Sequence, residues 1–180
     1  TSHIEITKQP GIYAACVGDK TNNWVGNLVR LYADQHTTAS DARRLAGWYL
    51  KDAGIPWLFH VLGNHDLWNR GDAILSLIND NTYYFADWDA RVKLCASGQS
   101  WRVHCAHDFK GTSIWNRTHG PLRAAMLSGE ADLYVCGHRH TFGTQTIEIE
   151  ETGRVKHVVR TRGYKMHDHY AVVNGFTQGK

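Results

Sequence analysis

The chain alternates between short apolar runs that stop abruptly at polar residues and longer stretches whose apolar positions recur every three or four residues. The first run, Ile12 to Val17, reads as a strand and ends in Gly18-Asp19. Residues 24–36 carry Val25, Leu28, Val29 and Tyr32 at the i, i+3, i+4, i+7 spacing of one helix face. A second helix is expected from a cap at Ser40 to about Ala53, with Leu45, Trp48, Tyr49 and Ala53 on one face and Gly54 as its stop. Pro56 introduces Trp57 to Leu62, a run rich in β-formers that reads as a buried strand and ends in Gly63-Asn64-His65-Asp66. A third helix is expected over Asp72 to Ile78, with Ile74, Leu77 and Ile78 inward.

From residue 82 the pattern becomes strand-like. Tyr83 to Phe85, Arg91 to Ala96 and Ser100 to Ala106 read as successive strands, with Ser97-Gly98 as a hairpin turn. A short helix follows Gly120-Pro121, since proline suits a first helical position. Leu133 to Cys136 is another buried strand, ending in Gly137, and Thr144 to Glu151 and Val155 to Arg162 alternate around the turn Thr152-Gly153-Arg154. The order of elements predicts an α/β fold, a four-layer α-β-β-α sandwich with helices outside two sheets.

Composition narrows the class without naming a function. At 180 residues, with 42% apolar and 21% charged residues, the chain reads as a single soluble domain over 1–180. A net charge of +3 does not by itself point to nucleic acid. No run of about 18 apolar residues and no signal peptide is visible, so the expectation is a cytoplasmic protein with no membrane partner. The four cysteines, Cys16, Cys95, Cys105 and Cys136, form no Cys-x-x-Cys pair and read as buried, reduced core thiols.

The informative feature is what stands at the strand ends. Four apolar runs stop in Gly18-Asp19, Gly63-Asn64-His65-Asp66, His107-Asp108 and Gly137-His138-Arg139-His140. In open α/β sheets ligands bind beyond the C-terminal strand ends. A carboxylate, an amide oxygen and imidazoles together suit a divalent transition metal such as Mn, Fe, Zn or Ni.

These ordered motifs resemble those of the calcineurin-like metallophosphoesterases: G-D, G-N-H-[DE], a lone His and G-H-x-H. The resemblance runs from about residue 11 to 165. It implies that Asp19 bridges two metals, that Asn64, His107 and His138 complete one of them, and that His140 serves the other. His65 then faces the phosphate as a catalytic residue with Asp66 behind it. The implied cofactors are two divalent metals, Mn foremost, and the implied activity is hydrolysis of phosphate monoesters or diesters by a hydroxide generated between them. Two metals roughly 3.5–4 Å apart clamp a phosphate in this way, and His65 would protonate the leaving oxygen. The G-N-H-D form, and G-D without a following Arg-Gly, look more like the phosphodiesterase and nuclease branch than like protein phosphatases.

One family motif is missing. The first, D-x-H, has no counterpart: Thr1-Ser2-His3 carries Thr where Asp would stand, and His3 precedes Asp19 by only 16 residues. The chain therefore reads as lacking the first strand and that motif, with one metal site intact and the second reduced to Asp19 and His140.

Other residues admit two readings. His104 competes with His107 for the lone-histidine role, and the strand end favours His107. Asp108 is a supporting partner or a loop residue; Arg139 reaches a phosphate or is solvated. His60 reads as a satisfied strand histidine, and His167-Asp168-His169 as a loop or strand start. Trp24, Trp68 and Trp115 follow three of the motifs and either stack on nucleobases or pack beneath long loops. The rivals to a phosphoesterase are a catalytically degenerate scaffold of the same fold, a nuclease acting on nucleic acid, and a structural zinc protein, the last disfavoured because structural zinc prefers Cys ligands.

Overall fold

The structure, a computed structural model, describes residues 2–68 and 84–164; the helix expected over Asp72 to Ile78 and the His167-Asp168-His169 cluster lie outside the described residues. By compactness the described residues fall into two units, one of 2–60, 64–68 and 84, the other of 61–63 and 85–164. The architecture is α/β with a three-stranded and a five-stranded sheet.

The first unit opens with a helix the hydrophobic pattern does not announce, α1 (His3–Thr7). A reciprocal cap forms it: the Ser2 hydroxyl accepts the Glu5 N–H at 3.2 Å and the Glu5 carboxylate accepts the Ser2 N–H at 2.8 Å. Strand β1 (Ala14–Cys16) runs parallel to β2 (Trp57–Val61), with Cys16 opposite His60. The loops carrying Asp19 and Asn64 therefore leave the same edge of one sheet; β3 (Phe85–Ala86) belongs to the second unit.

The helices between β1 and β2 differ from the expectation in detail. The stretch expected as a helix over 24–36 is a 3₁₀ helix, Gly26–Asp34. The next, α2 (Ala39–Gly47), is capped by Thr38 rather than Ser40, the Thr38 hydroxyl accepting the Asp41 N–H at 3.1 Å. A π-helical turn, Trp48–Asp52, continues it, and Gly54 at φ +71° ends it as expected. The inward face is also different. Ala46, Leu50 and Ala53 are buried, whereas Leu45 and Trp48 are exposed. Two alanines on the buried face give a flatter contact than Leu45 and Trp48 would, and Tyr49 meets Trp57 of β2 edge-on at 5.8 Å.

The second unit is built on a mixed sheet of order β4-β5-β6-β8-β7. Strands β4 (Asp89–Ala96) and β5 (Gln99–Ala106) form a hairpin with Ser97 and Gly98 at φ +51° and +76°, the two-residue turn that matches strand twist. Helix α4 (His119–Ser128) starts two residues before Pro121. Its Ala125 packs with Ala106, Phe109, Tyr134, Cys136 and Val158 in the core. Strands β6 (Leu133–Cys136), β7 (Gly143–Ile149) and β8 (Arg154–Arg160) complete the sheet.

Registry in this sheet positions the chemistry. Strands β5, β6 and β8 are parallel, with Ala106 opposite Cys136 and Cys136 opposite Arg160. The three strands end level, so His107, Gly137-His138 and Thr161 emerge side by side. Among the described residues, no helix is long and apolar enough to cross a membrane.

Candidate metal centre

In the first unit the Gly18-Asp19 turn is left-handed, with Asp19 itself at φ +55°, a conformation costly for a residue with a Cβ. Asp66 holds it there. Its carboxylate is fully buried and accepts the Asp19 N–H and the Lys20 N–H, each at 2.8 Å, while Lys20 Nζ reaches the same carboxylate at 3.0 Å. Two successive N–H groups on one anion make a small anion cradle, filled by the protein's own carboxylate. Asp19 in turn accepts the His65 N–H at 3.0 Å, so the two loops are stitched in both directions.

The expectation gives Asp66 a place behind His65. Its carboxylate takes bonds from Asp19 and Lys20, and the Asn22 carbonyl lies against Nδ1 of the His65 ring. A carbonyl only accepts, so Nδ1 carries the proton of the neutral ring and Nε2 is the nitrogen left to accept or pass one on. Nε2 lies 4.0 Å from an Asp19 oxygen. Trp24 and Trp68 flank the ring, with centroids at 5.1 and 4.1 Å, and Asn23 Nδ2 donates to the carbonyls of His65 and Trp68. Two of the three tryptophans thus pack against a site histidine. Asn64 opens the short helix α3 (Asn64–Leu67) beside this network.

In the second unit His107 follows β5 directly and is 1% exposed. Its N–H donates to the Trp88 carbonyl at 2.9 Å, and its own carbonyl accepts the Gly137 N–H at 3.1 Å. Its Nε2 lies 3.0 Å from His138 Nδ1. His104, the competing histidine, is turned to Asp89, with Nε2 at 2.8 Å from Oδ2. His138 and His140 both have positive φ, +63° and +53°. His140 is exposed and stands beside Gly163, where a Cβ would meet its ring at 3.4 Å. Asp108 and Arg139 are ion-paired at 3.1 Å, the Asp108 side chain largely buried and that of Arg139 exposed.

His60 corrects another expectation. It is 1% exposed and packs on Trp57 at 4.9 Å, but its Nδ1 has no hydrogen-bond partner among the described residues. Burial, with a smaller contribution from Lys20, pushes its pKa down from 6.5 to about 3, so it is neutral in the fold. As pH falls below 6.5 the unfolded chain takes up a proton the folded chain refuses, and stability is lost progressively down to about pH 3. His60→Leu should therefore flatten the acid side of the stability curve by up to about 1.4 kcal/mol per pH unit between pH 6 and 4. Urea midpoints across that range measure it, and unchanged slopes would show that His60 finds a partner.

None of the four cysteines is in a disulfide, but only Cys105 and Cys136 are buried; Cys16 is half-buried and Cys95 is exposed at the end of a hairpin strand. Burial pushes the Cys136 thiol up to about 11, which makes it a core residue rather than a thiolate ligand. Trp115 is 91% exposed and borders a shallow groove of about 420 Å³ between residues 115–118 and 143–145.

Sequence reasoning misses Lys20, Asn22, Asn23 and Arg160. None stands in a motif: Lys20, Asn23 and Arg160 act through side-chain nitrogens on residues distant in sequence, and Asn22 through its own carbonyl.

Within the second unit, His107 and His138 offer two imidazole nitrogens that could serve one metal ion. The histidine pair fits the part, since two nitrogens each about 2.0–2.1 Å from a common metal lie roughly 3 Å apart. The second site implied by the resemblance has no comparable donor group among the described residues. Compared with protein-family models and with curated protein sequences, the chain matches none.

Proposed function

We propose that this chain is a metal-dependent phosphoesterase of the calcineurin-like kind, in which Asp19, Asn64, His107 and His138 hold one divalent transition metal and His140 is offered to a second. The observation that carries the reading is the His107–His138 pair, two imidazole nitrogens 3.0 Å apart at the level ends of adjacent parallel strands. An oxygen ligand set from Asp19 and Asn64, added to two imidazoles, suits Mn, Fe or Zn better than Mg or Ca. Such a metal supplies positive charge to a phosphoryl oxygen and lowers the pKa of water.

The chain's own residues do the rest. Asp19 is held in a left-handed turn by Asp66 and meets the His65 N–H, so its oxygens are directed before anything binds. Preorganised ligands of this sort avoid reorganisation during the reaction. His65 keeps its Nδ1–H on the Asn22 carbonyl; as the imidazolium it gives the Nε2 proton to the leaving oxygen and returns to the neutral Nδ1–H form.

His65→Ala should retain Mn²⁺ and lose rate by about 10²–10⁴-fold, most for substrates with poor leaving groups. Hydrolysis of bis-p-nitrophenyl and p-nitrophenyl phosphates in Mn²⁺, with metal content measured in parallel, checks both parts. Loss of metal in this variant would reassign His65 as a ligand, and an unchanged rate would remove it from the chemistry.

A further inference from the structure

We infer that Arg160 is a positioning residue of the proposed metal centre, holding His107 and His138 at their spacing through the residue next to each; this rests on the metal reading above. Arg160 is the last residue of β8, level with Cys136, and its side chain is 3% exposed. One guanidinium nitrogen donates to Asp108 Oδ1 at 3.2 Å and to the Gly137 carbonyl at 3.1 Å; Nε donates to the Arg117 carbonyl at 2.7 Å. Asp108 follows His107 and Gly137 precedes His138. A single planar group therefore fixes the chain just after one imidazole and just before the other.

The loop it holds needs holding. His138 sits at φ +63° with the Arg139 N–H on the Gly137 carbonyl at 2.8 Å, a γ-turn in the rare positive-φ form. A left-handed non-glycine residue is disfavoured by roughly 1–2 kcal/mol and persists where its surroundings over-determine it. Here the Gly137 carbonyl takes a second donor from Arg160, and the other Asp108 oxygen takes Arg139 Nε, the residue after His138. The clamp is also closely packed from α4: a Cβ at Gly120 would lie 2.6 Å from the Phe109 carbonyl and 3.2 Å from the Arg160 guanidinium.

Arginine is required for the task. Its fork presents five donors in a fixed plane and reaches three acceptors on three segments at once, whereas an ammonium donates from a single atom. Residues that orient a metal ligand without touching the metal typically change affinity by 10–100-fold when altered.

The test is Mn²⁺ titration of the full chain and of Arg160→Lys, Arg160→Met and Asp108→Asn, with thermal unfolding of each in chelator. Arg154→Met is the control, since Arg154 begins the same strand and pairs with Asp132 at 2.6 Å, away from the strand ends. We expect Arg160→Lys to weaken Mn²⁺ binding on the order of 10–100-fold, while Arg154→Met lowers Tm and leaves the affinity unchanged. Should Arg160→Met fail to fold, Arg160→Lys and Asp108→Asn carry the comparison. If all three lower Tm and bind Mn²⁺ as tightly as the parent chain, Arg160 is a structural strap and the inference is overturned, with the metal reading intact. If the parent chain binds no Mn²⁺, the metal reading fails and the inference falls with it.

Discussion

His138→Ala should weaken divalent-metal binding by more than about 100-fold, beyond the range typical of residues that only support a ligand. His107→Ala should do the same, and His104→Ala should not. The reason is geometric. His138 and His107 point ring nitrogens at each other from the ends of β6 and β5, whereas His104 is engaged by Asp89 within the hairpin. Co²⁺ absorption in the visible region reads the ligand set directly, and its d–d bands should vanish in the first two variants and persist in the third. A Co²⁺ spectrum lost in His104→Ala and kept in His107→Ala would exchange the two histidines.

The second large effect is on stability. Asp66→Ala should cost about 3–5 kcal/mol, the range for removing one partner of a buried ion pair. It takes the carboxylate from a Lys20 ammonium that is 3% exposed, and it takes the acceptor from two backbone N–H groups at a strained turn. By contrast, the exposed Asp41–Arg44 pair at 2.8 Å should contribute little, as surface pairs do. Urea unfolding in chelator, followed by tryptophan emission, separates this loss from any loss of metal. A change below about 1 kcal/mol would mean that the Asp19 turn holds itself.

How much of this is legible in the sequence depends on what holds each element. Leu133–Cys136 and the end of Trp57–Val61 are visible because buried parallel strands need unbroken apolar runs, and a glycine followed by polar residues marks where they stop. The Ser97-Gly98 hairpin is visible because its turn requires positive φ twice. Strand β8 is different. It alternates as expected, but Lys156 and Arg160 share its buried face with Val158, while Val155 is exposed. Carbonyls supplied by distant segments make that possible: Lys156 Nζ donates to the Ala125 carbonyl at 2.6 Å, near the C-terminal end of α4, and Arg160 to those of Arg117 and Gly137. No local pattern encodes partners that lie 23 to 43 residues away.

The same limit applies to the candidate site. Asp19, Asn64, His107, His138 and His140 stand out because metal donors at strand ends are unusual. The parts that aim them do not stand out. Asp66 reads as the companion of His65, while its bonds fix the Asp19 turn; the Asn22 carbonyl, which sets the His65 tautomer, belongs to a residue no motif marks. The register of α2 is lost for another reason, since a local cap at Thr38 and a π turn at Trp48–Asp52 are not marked by apolar spacing.

The proposed function requires that this chain bind one divalent metal, with the His107–His138 pair among its ligands. Titration of the metal-free chain with Mn²⁺, with bound metal counted per chain, tests it most directly. One tightly bound ion per chain, with any second ion much weaker, is the predicted result. No bound ion would contradict the claim outright, and two equally tight ions would show that a further residue, His3 the first to examine, completes a second site.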